Sequence, residues 1–196
     1  MCQGAFSKPI ITEASRHGFS LGMNLGASFA TITDESLYRQ GYAASIIVNK
    51  AFSEVFSIHS EIGYVQKGNK YEIIPNVSGG QLIENTKHFL EIPVMARAAL
   101  GNDKVKFVMN AGPAISYRLS SRADYSDGTS LSYSKDAFFG LDITGGMGLM
   151  IKAGPGHILI SMRATHELHT FTPYQTNAKN VNYTITVGYI IPLGHK

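Results

Sequence analysis

The residues best equipped for chemistry stand close together late in the chain: Ser161, His166, Glu167 and His169. A serine, a histidine and a carboxylate are the parts of a hydrolase site, provided that the serine can reach the histidine. The run around them, roughly 157–170, alternates in the period-two manner of a β-strand. Strand parity puts Ser161 and His166 on opposite faces, so they cannot act as nucleophile and base, and no catalytic residue is predicted. His157, His166 and His169 invite a metal reading. His166 and His169 also differ in parity, and no cysteine joins them, so no metal site is expected. Gly145-Gly-Met-Gly148 lacks the strand–turn–helix setting of a phosphate loop, and no cofactor is expected.

A second set of residues is ionic. Glu61, Glu91, Asp142 and Glu167 are carboxylates, and Arg97 and Arg163 are guanidinium groups, all on the polar faces of alternating segments. Charges of both signs on one face can neutralise each other where water is scarce, which buried charges must do. At least two carboxylate–guanidinium pairs are therefore expected among these six. His59, Lys67, Arg118 and Lys152 are placed nearby or toward the ends.

Eight segments carry the alternation, at about 18–30, 40–52, 55–67, 87–100, 105–119, 138–153, 157–170 and 182–193, each long enough for a tilted transmembrane strand. In the third, Phe56, Ile58, Ile62 and Tyr64 oppose Ser57, His59, Glu61 and Gly63. The links alternate as well. Short turns at Ser53-Glu54, Gly101 to Lys104 and Gly154-Pro155-Gly156 separate the long links 31–39, 68–86, 120–137 and 172–181. In an up-and-down meander this puts every short turn at one rim and every long loop at the other, the asymmetry of outer-membrane barrels. The fold expected is all-β: an eight-stranded antiparallel up-and-down transmembrane β-barrel.

Composition agrees. Of 196 residues only 16% are charged while 44% are hydrophobic, and there is a single cysteine, Cys2. A soluble domain averages about 25% charged. No Lys/Arg run marks a nucleic-acid surface. The polar face uses small residues such as Ser20, Gly22, Asn24, Gly26, Gly63, Gly146 and Gly188, which suit a narrow eight-stranded lumen rather than a solvated exterior. The apolar face is bracketed by Phe19, Phe52, Phe56, Phe107 and Tyr189 at one rim and Tyr42, Tyr64, Tyr117, Phe139 and Tyr183 at the other. Two such girdles fit two membrane interfaces. The apolar face is thus read as lipid-facing. Residues 1–17 are read as a periplasmic tail and 18–196 as the barrel domain of an exported chain, with no signal peptide visible and Cys2 a possible lipidation site.

Motifs in order along the chain carry a resemblance: Gly18-Phe-Ser-Leu-Gly-Met-Asn24, Ser60-Glu-Ile-Gly-Tyr-Val-Gln-Lys-Gly68, Phe89-Leu-Glu-Ile-Pro-Val94, Asn110-Ala-Gly-Pro113 and Val187-Gly-Tyr-Ile-Ile-Pro-Leu193. In these the chain resembles the porin-family, PorT-like outer-membrane barrels of Bacteroidetes. That resemblance implies an exported barrel without implying one shared activity. The function expected is a non-enzymatic outer-membrane barrel with a plugged polar interior, displaying loops for structural or binding roles. Its surroundings would be membrane lipid or lipopolysaccharide, and possible partners are other envelope proteins, with no nucleic acid. An accessory subunit of an envelope secretion or assembly complex and a narrow channel are the alternatives.

Overall fold

The computed structural model describes residues 18–32, 37–73, 81–133, 139–171 and 179–193. The tail 1–17, with Cys2, lies outside these residues, as do 33–36, 74–80, 134–138 and 172–178 within or beside the long links.

The chain runs β1 (Phe19–Ile32), β2 (Leu37–Ala51), β3 (Phe56–Ile73), β4 (Gln81–Gly101), β5 (Val105–Tyr125), β6 (Ser130–Tyr133), β7 (Phe139–Ala153), β8 (Gly156–Phe171) and β9 (Asn180–Leu193). Every pairing is antiparallel, and eight of the nine strands close into a ring: β1–β2–β3–β4–β5–β7–β8–β9 and back to β1. The short β6 pairs only with β5, as a hairpin outside the ring. Closure matters in lipid because an open sheet edge would leave backbone groups unpaired where no water can reach them.

The expected inversion of faces is present. Met23, Ile46, Ile62, Ile143 and Val187 lie on the exposed outer surface, while Asn24, Ser28, Thr144, Thr184 and Thr186 are buried inside. Both aromatic girdles face outward, with Phe19, Phe52 and Phe56 exposed at the short-turn rim and Tyr42, Phe139 and Tyr183 at the other. Tyr189 ties its girdle to a turn. Its hydroxyl accepts from Gly156 N at 3.0 Å and donates to Ala153 O at 2.7 Å, clasping the Gly154-Pro155 link. Gly154 has φ of +59°, a conformation that favours glycine. In the second short turn, the Asn102 side-chain oxygen accepts from Lys104 N at 3.0 Å and Val105 N at 2.9 Å, a local Asx closure.

Three expectations need correcting. The link 68–86 is mostly strand: β3 continues to Ile73 and β4 starts at Gln81, paired down to Ile73↔Gln81. Tyr71 belongs to this ladder, whereas Asn76 and the Gly79-Gly80 pair lie outside the described residues. Likewise β5 runs through Tyr125 and turns back into β6, so 120–137 contains a hairpin. Beyond the ring, β3 to β6 therefore continue as a protruding sheet. Apolar alternation is absent there, although the sheet still buries Asn69, Ile83 and Ala123.

The third correction concerns parity. A bulge between Leu141 and Asp142 pairs Asp142 with Glu167 but Leu141 with His169, skipping Leu168. The extra residue turns His169 to the outside, where its ring meets Phe171 edge-on at 4.7 Å. His166 and His169 therefore share the outer face.

Candidate functional site

The lumen is where this barrel concentrates its ionisable groups, and two layers of them cross it. All six residues expected there are inside: Glu61, Glu91, Arg97, Asp142 and Glu167 are buried, and Arg163 is nearly so.

Glu61 on β3 centres the first layer. Its Oε2 accepts from Ser45 Oγ at 2.7 Å, and its Oε1 lies 3.1 Å from Arg163 Nη1 and 2.8 Å from His59 Nε2. Arg97 Nη2 also approaches His59 Nε2, at 3.2 Å. One ring nitrogen cannot donate to Glu61 and accept from Arg97 together. The shorter contact, to a carboxylate, assigns the proton to Nε2. Arg97 then spends its Nε–H on Asn110 Oδ1 at 2.7 Å, its register partner across β4–β5.

Lys67 centres the second layer. It is only 3% exposed by side chain, contacts Glu91 directly and lies 3.6 Å from Asp142 Oδ2. Its ammonium also sits 5.0 Å from the Phe89 ring centroid, a cation–π distance. Glu167 is within electrostatic reach of Lys67 and Lys87, and Arg118 stands beside Lys87. Glu167 also accepts from Asn180. The layer thus sets three cations, Lys67, Lys87 and Arg118, against three carboxylates, Glu91, Asp142 and Glu167.

The pairing scheme differs from expectation. Among the six residues only Arg163 and Glu61 form a carboxylate–guanidinium pair in the described structure; Glu91 and Asp142 share a lysine instead. Lys67, expected nearby or toward an end, stands at the expected end of the third segment. The extension of β3 by six residues puts it well inside, on the same face as His59, Glu61 and Val65. Its signal was available in that parity.

Apolar side chains complete the filling. Ile47, Val108, Leu159 and Ile190, with Ala99 and Met150 against them, form an inward layer toward the short-turn end, and Ala43, Val65 and Phe89 form another patch. Beside Glu61, Glu91 and Arg163 the lumen leaves a void of about 10 Å³, near the minimum for one water.

The hydrolase parts stay apart. Ser161 hydrogen-bonds Thr186 at 2.9 Å inside, and His166 stands opposite the outward Ile143. Among the described residues, no three His, Cys, Asp or Glu side chains converge as metal ligands.

Comparison with known proteins places this architecture. No curated protein sequence matches the chain. Neisserial surface protein A is similar in structure, with a TM-score of 0.53 at 12% identity over 89% of this chain and 96% of that one. The outer membrane protein OprG of Pseudomonas aeruginosa is similar too, at 0.50 and 10% identity over 91% and 98%. At these identities the likeness is one of fold. The family model described as "Outer membrane protein beta-barrel domain" matches residues 6–173. The closed ring, the lipid-facing apolar surface and this match converge: the chain belongs to the outer membrane protein β-barrel domain family and resides in the bacterial outer membrane.

Proposed function

We propose that the protein is a non-enzymatic barrel whose polar interior is a plug, and that its work is done by the protruding sheet and loops at the cell surface. The observation that carries the plug is the pair of ionic layers backed by the inward Ile47–Val108–Leu159–Ile190 cluster. An eight-stranded ring has room for side chains and little else, whereas open aqueous pores use about 16 strands. Separation of Ser161 from His166 supports the non-enzymatic reading.

By the rule for such barrels, the short turns are periplasmic and the long links extracellular. The protruding β3–β6 sheet then stands on the outside. Arg122 and Asp124, 2.7 Å apart, and Ser130 Oγ, which donates to Asp124 at 2.6 Å, brace the β5–β6 hairpin there. That built projection favours a binding role and also accommodates the second reading, an accessory subunit docked against another envelope protein. The motifs of Glu91-Ile-Pro93 and Ala111-Gly-Pro113 support a PorT-like barrel of Bacteroidetes type.

Planar-bilayer recording and surface labelling test the proposal together. The purified protein should give no reproducible unitary currents, and the thiol of Asp127→Cys should react with an impermeant maleimide on intact cells. Stable currents altered by Arg97→Ala would overturn the plug, and protection of that cysteine until the outer membrane is breached would overturn the display.

A further inference from the structure

The β5–β6 hairpin leaves a sheet edge open. Among the described residues β6 pairs only with β5, so its far side is unpaired. The turn fixes which backbone groups point there. Gly128, at φ of +86°, donates its N–H to Tyr125 O at 3.1 Å, and Tyr125 N donates to Thr129 O at 2.9 Å. Tyr125 and Thr129 therefore close the ladder as a hydrogen-bonded pair, and such pairs alternate with non-bonded ones along an antiparallel ladder. Leu131 accordingly spends its N–H and C=O on Ala123, its register partner, while Ser130 and Ser132 aim theirs away from β5. Thr129 N is taken by Asp127 Oδ1 at 2.8 Å. The open groups are thus the N–H and C=O of Ser130 and of Ser132, placed evenly about Leu131.

Exposed edges are commonly blunted by lysine, proline or a bulge. Ser130-Leu-Ser-Tyr133 has no charge and no proline, and its register with β5 is unbroken. Leu131 is 43% exposed. The symmetry of the open groups points to the partner. When a second copy is laid antiparallel about a two-fold axis through Leu131, Ser130 of each copy faces Ser132 of the other. Every open N–H then meets an open C=O. Leu131 meets its own counterpart at a non-hydrogen-bonded position, where cross-strand side chains come closest. Each row also ends in opposite charges, because Asp124 is the register partner of Ser130 and Arg122 that of Ser132. Self-complementarity of this kind is what a two-fold contact between identical surfaces requires.

Membrane geometry then fixes where the second copy stands. β6 runs beside β5, a wall strand, and wall strands tilt by about 35–45° from the barrel axis. A two-fold axis along the membrane normal would cross two such edges at about 70–90°. Paired strands differ by only about 10–35°. An axis lying in the membrane plane makes the edges antiparallel and turns the second barrel upside down, into a facing membrane.

We propose that the free edge of β6 pairs antiparallel with β6 of a second copy of this chain in an apposed membrane, so that two surfaces are joined by continuation of one sheet. Its role between cells rests on the reading of the protruding sheet as extracellular. One contact of this length is weak, and many copies between two surfaces multiply it.

The test is clustering and cross-linking of lipid vesicles that carry the full chain. Vesicles bearing the wild type should cluster. In a Cys2→Ser background, Leu131→Cys puts one thiol at the two-fold axis, and mild oxidation should link copies from two differently labelled vesicle populations. Ser130→Cys faces Ser132 rather than itself and should yield little dimer. Ser132→Pro deletes an outward N–H and leaves the bonds to β5 intact, since proline is tolerated on the open side of an edge strand. It should abolish clustering, as should Leu131→Lys, which sets two ammonium groups face to face, whereas Ser132→Thr should preserve it. The gel shift between folded and unfolded forms verifies each variant. Equal linking at positions 130 and 131, clustering that survives Ser132→Pro, or dimers confined to one vesicle population would overturn the proposal. Vesicle clustering needs only that some barrels point the sheet outward, while Asp127→Cys on cells reports display itself. Labelling of that thiol without clustering therefore sinks the self-pairing alone.

Discussion

Replacing Lys67 by Met tests the ionic filling of the lumen most directly. Methionine keeps the length and apolar stem of the side chain and deletes its charge. In the folded barrel Glu91 then loses a direct contact and Asp142, itself 1% exposed, loses an ammonium at 3.6 Å. Removing one partner of a buried pair typically costs about 3–5 kcal/mol, because the remaining charge is stranded. Here two carboxylates are stranded by one substitution, while Lys87 and Arg118 in the same layer soften the loss. The net expectation is about 3 kcal/mol or more. Glu91→Gln should cost less, since Lys67 keeps Asp142. In Lys67→Met/Glu91→Gln only Asp142 loses its lysine, so the double variant should recover part of the loss, with a coupling energy of about 1 kcal/mol or more. Urea unfolding in lipid vesicles, scored by the gel shift between folded and unfolded forms, reads all four corners of the cycle. A loss below about 1 kcal/mol for Lys67→Met, or strict additivity, would show that water solvates the lone carboxylates and would refute the ion-paired lumen.

Two further substitutions probe the wall. Ile46, 62% exposed on the outer face and flanked by Met23 and Ile62, should tolerate lysine poorly, at about 2–4 kcal/mol near the bilayer midplane, whereas Leu37→Lys near the rim should cost about 0–1 kcal/mol. The same unfolding assay checks the pair, and equal costs would place the membrane elsewhere on the barrel. At Gly188 a β-carbon would fall 2.0 Å from Asn24 Oδ1 and 2.3 Å from the Met23 carbonyl oxygen, so Gly188→Val should destabilise by about 1–3 kcal/mol through overpacking.

The barrel was legible in the sequence wherever one strand face meets lipid and the other a crowded lumen, because that contrast writes itself as alternation. Short turns were legible through Asn102 and Gly154, residues that those bends require. What could not be read has a common cause. In the outer parts of β3, β4 and β5 the buried positions are taken by polar or small residues such as Asn69, Thr86 and Ala123, so apolar alternation is lost and they read as loops. A bulge leaves no residue type behind, so the parity of His169 came out reversed. The central place of Lys67 could not be read because the expected third segment stops at that residue, whereas β3 runs on to Ile73. Strand parity gives the inward side of the six charges, but their partners depend on cross-barrel distances that no single strand records.

The seam between β1 and β9 bears on biogenesis. Phe19 pairs with Leu193 and Ile32 with Asn180, so the first and last strands zip together along their whole length. A nascent barrel lacking its final strand would present two bare edges to hydrocarbon, where each unpaired amide costs several kcal/mol. Intermediate products are therefore poor membrane residents. Closing the β1–β9 seam is therefore what makes the ring compatible with hydrocarbon.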